Sequence, residues 1–135
     1  MKQEKSCGAI VIDNGRVLIV KQNNGFYGFP KGHMDDGERE EDTALREVKE
    51  ETNIDIAVNN KYRYVSSYYI RENILKEVVF FLGRPKTMDL VAEEKEIEEV
   101  LWMPYDEALK ILTYDDSKEL LTRLLNDLQQ NKDEI

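Results

Sequence analysis

Two short runs of apolar, β-branched residues lie near the beginning of the chain, at positions 7–12 and 16–21. Between them stand Asp13, Asn14 and Gly15. An Asn-Gly pair readily adopts the positive φ angles of a two-residue hairpin turn, because glycine has no Cβ atom and asparagine tolerates the left-handed region. The pattern therefore predicts an antiparallel β-hairpin.

A helix is predicted over residues 39–52. Ala44, Leu45 and Val48 form an apolar stripe at helical spacing, and acids occupy the first turn, where the helix dipole favours negative charge. Asn53 follows the last turn. Asparagine is one of the few residues that adopt the left-handed conformation with which many helices end.

The other segments alternate between strand and helix patterns. In chain order they are a glycine- and aromatic-rich loop at 25–30, a turn at 36–37, strands at 62–70 and 76–83, an acidic loop at 85–98, a strand at 100–103, and helices at 104–112 and 116–130. Strands and helices in mixed order predict the α/β class, as a sandwich in which helices cover a mixed β-sheet. A length of 135 residues predicts one domain over residues 1–135.

Composition and charge argue against several functional classes. The net charge of −9, without a basic run, disfavours binding to nucleic acid or to an anionic membrane. No apolar stretch reaches the length of a membrane span, and we expect no signal peptide at the start. The single cysteine, Cys7, cannot form an internal disulfide, so we expect a cytoplasmic protein. The single histidine, His33, excludes a paired-histidine zinc site and disfavours a serine or cysteine triad.

The segment 35–51 is strongly acidic, with nine acids and three bases. Most charge runs of this kind form a solvated helix face. Here, however, Glu47 precedes Glu50 by three residues and Glu51 by four, and each like-charged pair at that spacing costs about 0.2–0.5 kcal/mol. Mg²⁺ or Mn²⁺ would offset this cost, because hard cations prefer carboxylate oxygens. A metal site and a bare surface helix both remain open at this point.

The spacing of the acids favours the metal site. The pattern consists of Gly32, Glu38, Arg46, Glu47, Val48, Glu50, Glu51, Asn53 and Ile54. It closely resembles the Nudix box, the signature of the Nudix hydrolases, and departs from it at Asn53, where the family usually has glycine. Asparagine is the next best residue for a left-handed helix stop, so we expect the chemistry to be unaffected. The resemblance covers nearly the whole chain and implies the Nudix-type α/β/α sandwich.

The resemblance implies a reaction and a set of site residues. Nudix hydrolases cleave a nucleoside diphosphate linked to another group, and divalent metals stabilise charge on the phosphate oxygens. By position, Glu47 and Glu51 would be metal ligands, and Glu50 a further ligand or the group that takes a proton from water. Arg46 would orient the glutamates, and Glu38 would brace the loop or Arg46. The remaining implied ligands are a backbone carbonyl near Lys31 and Gly32 and one late-loop acid, for which Glu96 is favoured over Glu93, Glu94 and Glu98.

Two segments that flank the box narrow the range of expected substrates. Residues 29–33, Phe-Pro-Lys-Gly-His, and the strand beginning at Lys76 resemble the asymmetric diadenosine tetraphosphate hydrolases within this family. The resemblance implies cleavage of diadenosine tetraphosphate to ATP and AMP, with Lys31 and Lys76 as cations for the polyphosphate. Adenine rings need flat partners. Of the candidate tyrosines at positions 27, 68, 69 and 114, we favour Tyr69 and Tyr114.

Several alternatives remain open from the sequence. Within the family, the substrate could instead be a nucleoside triphosphate, a nucleotide sugar, an inositol pyrophosphate or an RNA 5′ end, although RNA would favour a basic flank. A nucleotide-binding module without catalysis is disfavoured, because Glu47, Glu50 and Glu51 are all present. The box spacing disfavours a purely structural domain, and the P-loop and dinucleotide fingerprints are absent. We expect a small nucleotide as partner, Mg²⁺ or Mn²⁺ as cofactor, and a monomer or homodimer.

Overall fold

The computed structural model describes residues 2–132, which form seven strands and three helices in mixed order and confirm the predicted α/β class. The strands are β1 (Lys2–Asp13), β2 (Arg16–Gln22), β3 (Tyr27–Gly28), β4 (Lys31–His33), β5 (Ile56–Arg71), β6 (Ile74–Pro85) and β7 (Ile97–Pro104). The helices are α1 (Glu40–Thr52), α2 (Tyr105–Ile111) and α3 (Asp115–Gln130). None of the helices in this described part of the chain is long and apolar enough to cross a membrane.

β1 and β2 form the predicted hairpin. Asn14 and Gly15 have φ angles of 50° and 78°, the left-handed values that the turn requires. Asp13 pairs with Arg16 in the antiparallel ladder that flanks the turn. The Asn-Gly pair therefore fixes where the chain reverses.

β1 lies at the centre of a mixed sheet. One of its edges pairs in parallel with β6, and β5 extends the sheet beyond β6 as an antiparallel strand. The other edge pairs with β4 over residues 6–8 and then with β2, both antiparallel. β3 and β7 pair with β2. β1 thereby holds β4, the strand that precedes α1, close to β6.

Helices cover both faces of the sheet, which confirms the predicted sandwich. Alternate side chains of a strand point to opposite faces. Ile10 and Ile12 of β1 pack in one buried cluster with leucines of α3, whereas Ala9 and Val11 pack in a second cluster with Val48 of α1. β1 is therefore buried on both faces, which explains why its sequence is uniformly apolar and not alternating.

α1 begins one residue after its predicted start and ends where predicted. At its start, the Asp42 carboxylate accepts a hydrogen bond from the backbone N–H of Arg39 at 3.1 Å. At its end, Asn53 has a φ of 72°, so the predicted left-handed stop is confirmed. The Asn53 side chain also donates to the backbone carbonyl of Asp89 at 2.9 Å. The departure from the box pattern thus keeps the conformation that glycine would supply and adds a hydrogen bond.

One of the three residues predicted to form the buried apolar stripe of α1 is exposed. Ala44 and Val48 are fully buried, but Leu45 is 39% exposed. Successive helical residues are rotated by about 100°, so Leu45 lies beside the line that joins Ala44 and Val48 and not on it. The sheet-facing stripe of α1 is narrower than its apolar sequence indicates.

Several strands are longer than predicted, and two short strands, β3 and β4, were not predicted. β3 lies inside the predicted loop 25–30, and β4 begins directly after it. β7 begins inside the predicted acidic loop, and β5 begins several residues before its predicted start. The early part of β5 contains Asn59 and Asn60 and an irregularity in its pairing with β6, so it carries little strand signal in the sequence.

Candidate active site

The box residues meet where β4 faces α1. The Glu47 carboxylate of α1 lies directly over Gly32 of β4. A Cβ atom added at Gly32 would come within 2.0–2.3 Å of three atoms of that carboxylate. No side chain tolerates such distances, so glycine at this position allows Glu47 to approach the strand.

Glu51 lies one turn further along α1 and also contacts β4. Its Oε1 accepts a hydrogen bond from the backbone N–H of Lys31 at 3.2 Å. Burial, with the negative charges of Glu47 and Glu96 nearby, raises the pKa of Glu51 to about 8. Burial also raises the pKa of Glu47. The two carboxylates therefore repel each other where water screens them poorly, and a bound cation would relieve that repulsion.

Arg46 joins the loop before α1 to the glutamates of the helix. Its guanidinium donates to both oxygens of Glu38, at 2.8 and 2.9 Å, and to the backbone carbonyl of His33 at 2.9 Å. It also donates to Glu47 Oε1 at 2.9 Å. The hydrogen bonds that Glu38 accepts from Arg46, and also from the backbone N–H of Asp35 and the hydroxyl of Thr43, lower the pKa of Glu38 to about 2. The network can fix the loop against the helix and orient Glu47.

Glu50 is the exposed member of the three glutamates. Its side chain is 53% exposed, against 13% for Glu47. Arg46 contacts both oxygens of Glu50 at 3.3 Å, which is longer than its contacts to Glu38 and Glu47. Glu50 is therefore loosely restrained and accessible to a water molecule.

A cavity of about 380 Å³, which we term the polar cavity, opens beside Glu51. Its lining residues are Ser6, Gln22, Asn23, Asn24, Lys31, Gly32, His33, Glu51, Lys76, Lys95, Glu96 and Ile97. Lys76 is only 9% exposed, and burial together with the charge of Lys31 lowers its pKa. A phosphate chain in this cavity would meet carboxylates suited to a metal and ammonium groups suited to its own oxygens.

Of the late-loop acids, Glu96 is the one among the lining residues of the polar cavity. Glu93 instead accepts hydrogen bonds from the backbone N–H groups of Lys95 and Glu96, at 2.6 and 3.1 Å. Glu98 pairs with Lys21 at 3.3 Å. The loop therefore brings Glu96 to the site and uses Glu93 and Glu98 for other contacts.

The donor set fits a hard divalent cation that retains water. Within residues 2–132, no three acidic, histidine or cysteine side chains converge closely enough to form a complete metal cage. Mg²⁺ does not require one, because it keeps several waters and is commonly bound by one or two carboxylates plus phosphate oxygens. Glu47 and Glu51 supply two such carboxylates, with Glu96 on the same cavity as Glu51. The carbonyl ligand near Lys31 and Gly32 stays a prediction.

A second cavity, of about 490 Å³, adjoins the first and shares Gln22, Asn24 and Lys31 with it. The other residues that line this aromatic cavity are Phe26, Tyr27, Gly28, Phe29, Ser66, Tyr68, Val78, Phe80, Tyr114, Asp115, Asp116, Ser117 and Leu120. The rings of Phe26 and Tyr114 meet edge to face, with centroids 5.6 Å apart. A flat nucleobase fits a wall of this kind.

The structure brings Tyr114 to the aromatic cavity but leaves Tyr69 off both cavities. Tyr69 is 59% exposed, and its neighbour Tyr68 lines the aromatic cavity. Adjacent strand residues point to opposite faces, so the two tyrosines cannot share one cavity. Of the two tyrosines, Tyr68 is the one on the wall of the aromatic cavity, and Tyr69, at which a base contact was expected, lies outside it. The two-residue period could have shown this, because Tyr62 and Tyr64 of the same strand are buried in the α3 cluster.

Sequence reasoning missed the polar wall that Ser6, Gln22 and Asn24 contribute. Ser6 precedes the predicted first strand, Gln22 is the last residue of β2 and Asn24 lies in the polar turn that follows it, so no motif singles them out. Ser6 reaches the site only because β1 pairs with both β4 and β6.

Sequence comparisons agree with this geometry. A sequence model of the NUDIX domain matches residues 2–124. The asymmetrical bis(5′-nucleosyl)-tetraphosphatase of Rattus norvegicus is 29% identical, over 87% of this chain and 90% of that protein. Nudix hydrolase 2 of Arabidopsis thaliana is 34% identical over 74% of this chain, which spans only 38% of that longer protein.

Solved structures share the fold. A C. elegans Ap4A hydrolase in a binary complex has a TM-score of 0.83 at 24% identity, covering 94% of this chain and 98% of that one. A MutT NUDIX hydrolase from Burkholderia pseudomallei has a TM-score of 0.74 at 22% identity, covering 90% and 98%. At these identities the likeness shows the fold, a mixed sheet flanked by helices. Because the NUDIX match spans nearly the whole chain and the box glutamates meet at β4 and α1, this chain belongs to the Nudix family of hydrolases.

Proposed function

We propose that this chain hydrolyses diadenosine tetraphosphate asymmetrically, to ATP and AMP, in a reaction that depends on Mg²⁺ or Mn²⁺. The observation that carries the proposal is the adjacency of the two cavities, which share Lys31. One cavity is lined by acids and lysines and the other by aromatic rings, and a dinucleoside polyphosphate has the same division between anionic chain and flat base. The rat and pig asymmetrical bis(5′-nucleosyl)-tetraphosphatases, each aligned over 87% of this chain, support the same substrate.

Glu47 and Glu51 would hold the divalent cation together with phosphate oxygens and water, and Glu96 would add negative charge on the cavity that Glu51 lines. When bound, the cation supplies positive charge against the negative charge that develops on the phosphate oxygens in the transition state. The raised pKa of Glu51 makes a proton compete with the metal below about pH 8, so metal affinity should rise with pH. The hydrogen bond from Arg46 keeps the Glu47 carboxylate in one orientation.

The exposed Glu50 is suited to take the proton from the attacking water. In that step the water oxygen forms a bond to phosphorus, and the bond from phosphorus to the bridging oxygen of the leaving group breaks. Arg46 is anchored by Glu38 on its other side, so it holds Glu50 near the site without burying it.

Lysines and tyrosines would orient the substrate. Lys31 lies on both cavities, and Lys76 lies on a buried part of the polar cavity wall. An adenosine stacked on Tyr68 or Tyr114 fixes the distance between the base and the carboxylates of α1. Cleavage then falls near one end of the phosphate chain and not at its middle, which gives ATP and AMP.

Product analysis on a substrate panel tests this proposal. The pure protein with magnesium is given diadenosine tetraphosphate, nucleoside triphosphates, nucleotide sugars, inositol pyrophosphates and capped RNA, and products are separated by ion-exchange chromatography. We expect ATP and AMP in equal amounts from the dinucleotide, and no products in excess chelator. Two molecules of ADP would contradict asymmetric cleavage, and faster turnover of another panel member would assign the chain to a different branch of the family.

Two tyrosine variants test the aromatic cavity. Tyr114→Ala should raise the KM for diadenosine tetraphosphate about tenfold, since the loss of one stacking ring costs about 1–3 kcal/mol. Tyr69→Ala removes a ring outside both cavities and should change this KM less than about twofold. Equal effects of the two variants would contradict a nucleoside site in the aromatic cavity.

A further inference from the structure

Ser6 is a polar residue buried in β1 without a hydrogen-bond partner. The residue is 1% exposed, and its Oγ has no hydrogen-bond partner among the residues that the structure describes. Buried hydroxyl groups normally find a partner, because an unpaired one has lost its contact with water and gained nothing in exchange. An unpaired hydroxyl on the wall of a candidate site therefore points to a ligand.

Strand pairing places Ser6 beside Lys76. Ser6 pairs with Val78 of the parallel strand β6, and Lys76 lies two residues before Val78, on the same face of the sheet. Ser6 also pairs with His33 across the ladder between β1 and β4. Ser6, Lys76 and His33 all line the polar cavity. A hydroxyl donor and an ammonium donor thus lie on one wall as diagonal neighbours, two residues apart in register.

Trp102 provides a contrast within the same structure. Its Nε1 is the other buried side-chain polar atom without a partner in the described part of the chain. Trp102 packs against the apolar cluster below α1 and lines neither cavity. Ser6 is distinguished from it by its place on a charged cavity wall.

We propose that Ser6 is a substrate-binding residue whose hydroxyl donates a hydrogen bond to an oxygen of the phosphate group that Lys76 contacts. This inference rests on the proposed function, because it assumes a polyphosphate in the polar cavity. Phosphate oxygens accept from hydroxyl and ammonium groups together, and both bonds are strengthened by charge. Glu51 and Glu96 occupy the acidic part of the cavity. In this proposal the wall formed by Ser6 and Lys76 binds a phosphate further along the chain than the one at the acids, which a long polyphosphate has and a nucleotide sugar lacks.

The proposal predicts opposite effects of Ser6→Ala on stability and on binding. Without ligand, the variant should melt about 2–5 °C higher than the wild type, because it removes an unpaired buried hydroxyl and leaves the strand intact. Its affinity for substrate should nevertheless fall. A serine with no role in binding would raise the melting temperature and leave affinity unchanged.

Calorimetry with the non-hydrolysable, methylene-bridged analogue of diadenosine tetraphosphate, in magnesium, measures the binding directly. Ser6→Ala should raise the Kd about tenfold, as expected for the loss of a hydrogen bond to a charged group. Ser67→Ala, which changes an exposed serine of β5 outside both cavities, is the matched control and should bind like the wild type. In turnover assays Ser6→Ala should raise KM for the dinucleotide with kcat within about twofold, because the bond is present before and during reaction. Its KM for a nucleotide sugar should not change.

The outcomes separate this inference from the proposed function. Equal affinity of wild type and Ser6→Ala for the analogue would overturn the inference, whether or not the wild type turns substrate over. Weaker binding by Ser6→Ala, together with no turnover of any panel member, would refute the proposed function and retain the binding site. Failure of the wild type to bind the analogue would overturn both.

A double variant tests whether Ser6 and Lys76 bind the same phosphate. Lys76→Ala alone should weaken dinucleotide turnover more than nucleotide-sugar turnover. Combined with Ser6→Ala, its effect on analogue affinity should be clearly smaller than the product of the two single effects, because both residues serve one group. Fully multiplicative effects would show that the two residues bind different groups, which contradicts the proposal.

Discussion

The buried carboxylate of Glu51 predicts an unusual pH dependence of stability in the metal-free protein. Burial, and then the charge of Glu47, raise its pKa from 4.5 to about 8. Between about pH 5 and pH 8 the folded protein keeps a proton that the unfolded chain has released. Because the folded state binds more protons in this window, the free energy of unfolding falls as the pH rises through it.

The size of the effect follows from that window. One proton retained over about three pH units corresponds to at most about 4 kcal/mol, at about 1.4 kcal/mol per unit. Water at the cavity wall and structural relaxation reduce this figure, so we expect a measured loss of about 1–3 kcal/mol between pH 5 and pH 8. Glu51→Gln removes the ionisation, while its amide oxygen can still accept the Lys31 hydrogen bond. The variant should therefore be the more stable protein at pH 8 and lose less stability between the two pH values.

Urea titrations in excess chelator across this pH range measure the difference in the free energy of unfolding between the wild type and Glu51→Gln. Glu98→Gln, which changes an exposed carboxylate paired with Lys21, is the control and should give a curve parallel to that of the wild type. Magnesium at pH 8 should stabilise the wild type more than Glu51→Gln, and Glu51→Gln should lose turnover by orders of magnitude. If the pH curves of wild type and Glu51→Gln were parallel, the buried ionisation at Glu51 would be refuted. Equal stabilisation by magnesium would refute its role as a metal ligand.

Three further substitutions test the box. Gly32→Ala should abolish turnover and lower the melting temperature, because the added Cβ meets the Glu47 carboxylate. Gly28→Ala adds a Cβ in open space and should leave the melting temperature unchanged. Arg46→Lys should lower the free energy of unfolding, measured by urea titration, by about 1–3 kcal/mol, because an ammonium cannot bond two carboxylates and a carbonyl as the planar guanidinium does. Unchanged stability would argue against the network. Asn53→Val should lower the free energy of unfolding by about 1–2 kcal/mol, whereas that of Asn53→Gly should stay within about 0.5 kcal/mol of the wild type. Equal values for the two variants in the same titration would be inconsistent with a left-handed helix end at Asn53.

The box was predictable because its geometry has local causes. Glu47 and Glu51 share a face of α1 through their spacing alone, whatever the helix packs against. Asn53 ends that helix through its own backbone preference, and its φ of 72° bears this out. The turn at Asn14 and Gly15 was predictable for the same reason.

The cavity walls were not predictable, because they depend on pairing between distant segments. Nothing near Ser6 in the sequence indicates that it lies next to Lys76, since only the register of β1 against β6 brings them together. Tyr68 and Tyr69 have nearly the same local sequence context, and a single step along β5 decides which one faces the cavity. Register is a property of the assembled sheet, and a shift of one residue exchanges its two faces.

The parallel pairing of β1 with β6 also determines when the polar cavity can form during folding. Ser6 and its partner Val78 are separated by more than half of the sequence. Pairings that close so long a loop form slowly, because the entropy of closure is lost before the contacts compensate for it. The hydrogen bonds of α1 are local and form much faster, although a helix of 13 residues is only marginally stable until it packs against the sheet. We therefore expect substrate binding to return during refolding only when β1 has paired with β6, after the turns of α1 have begun to form.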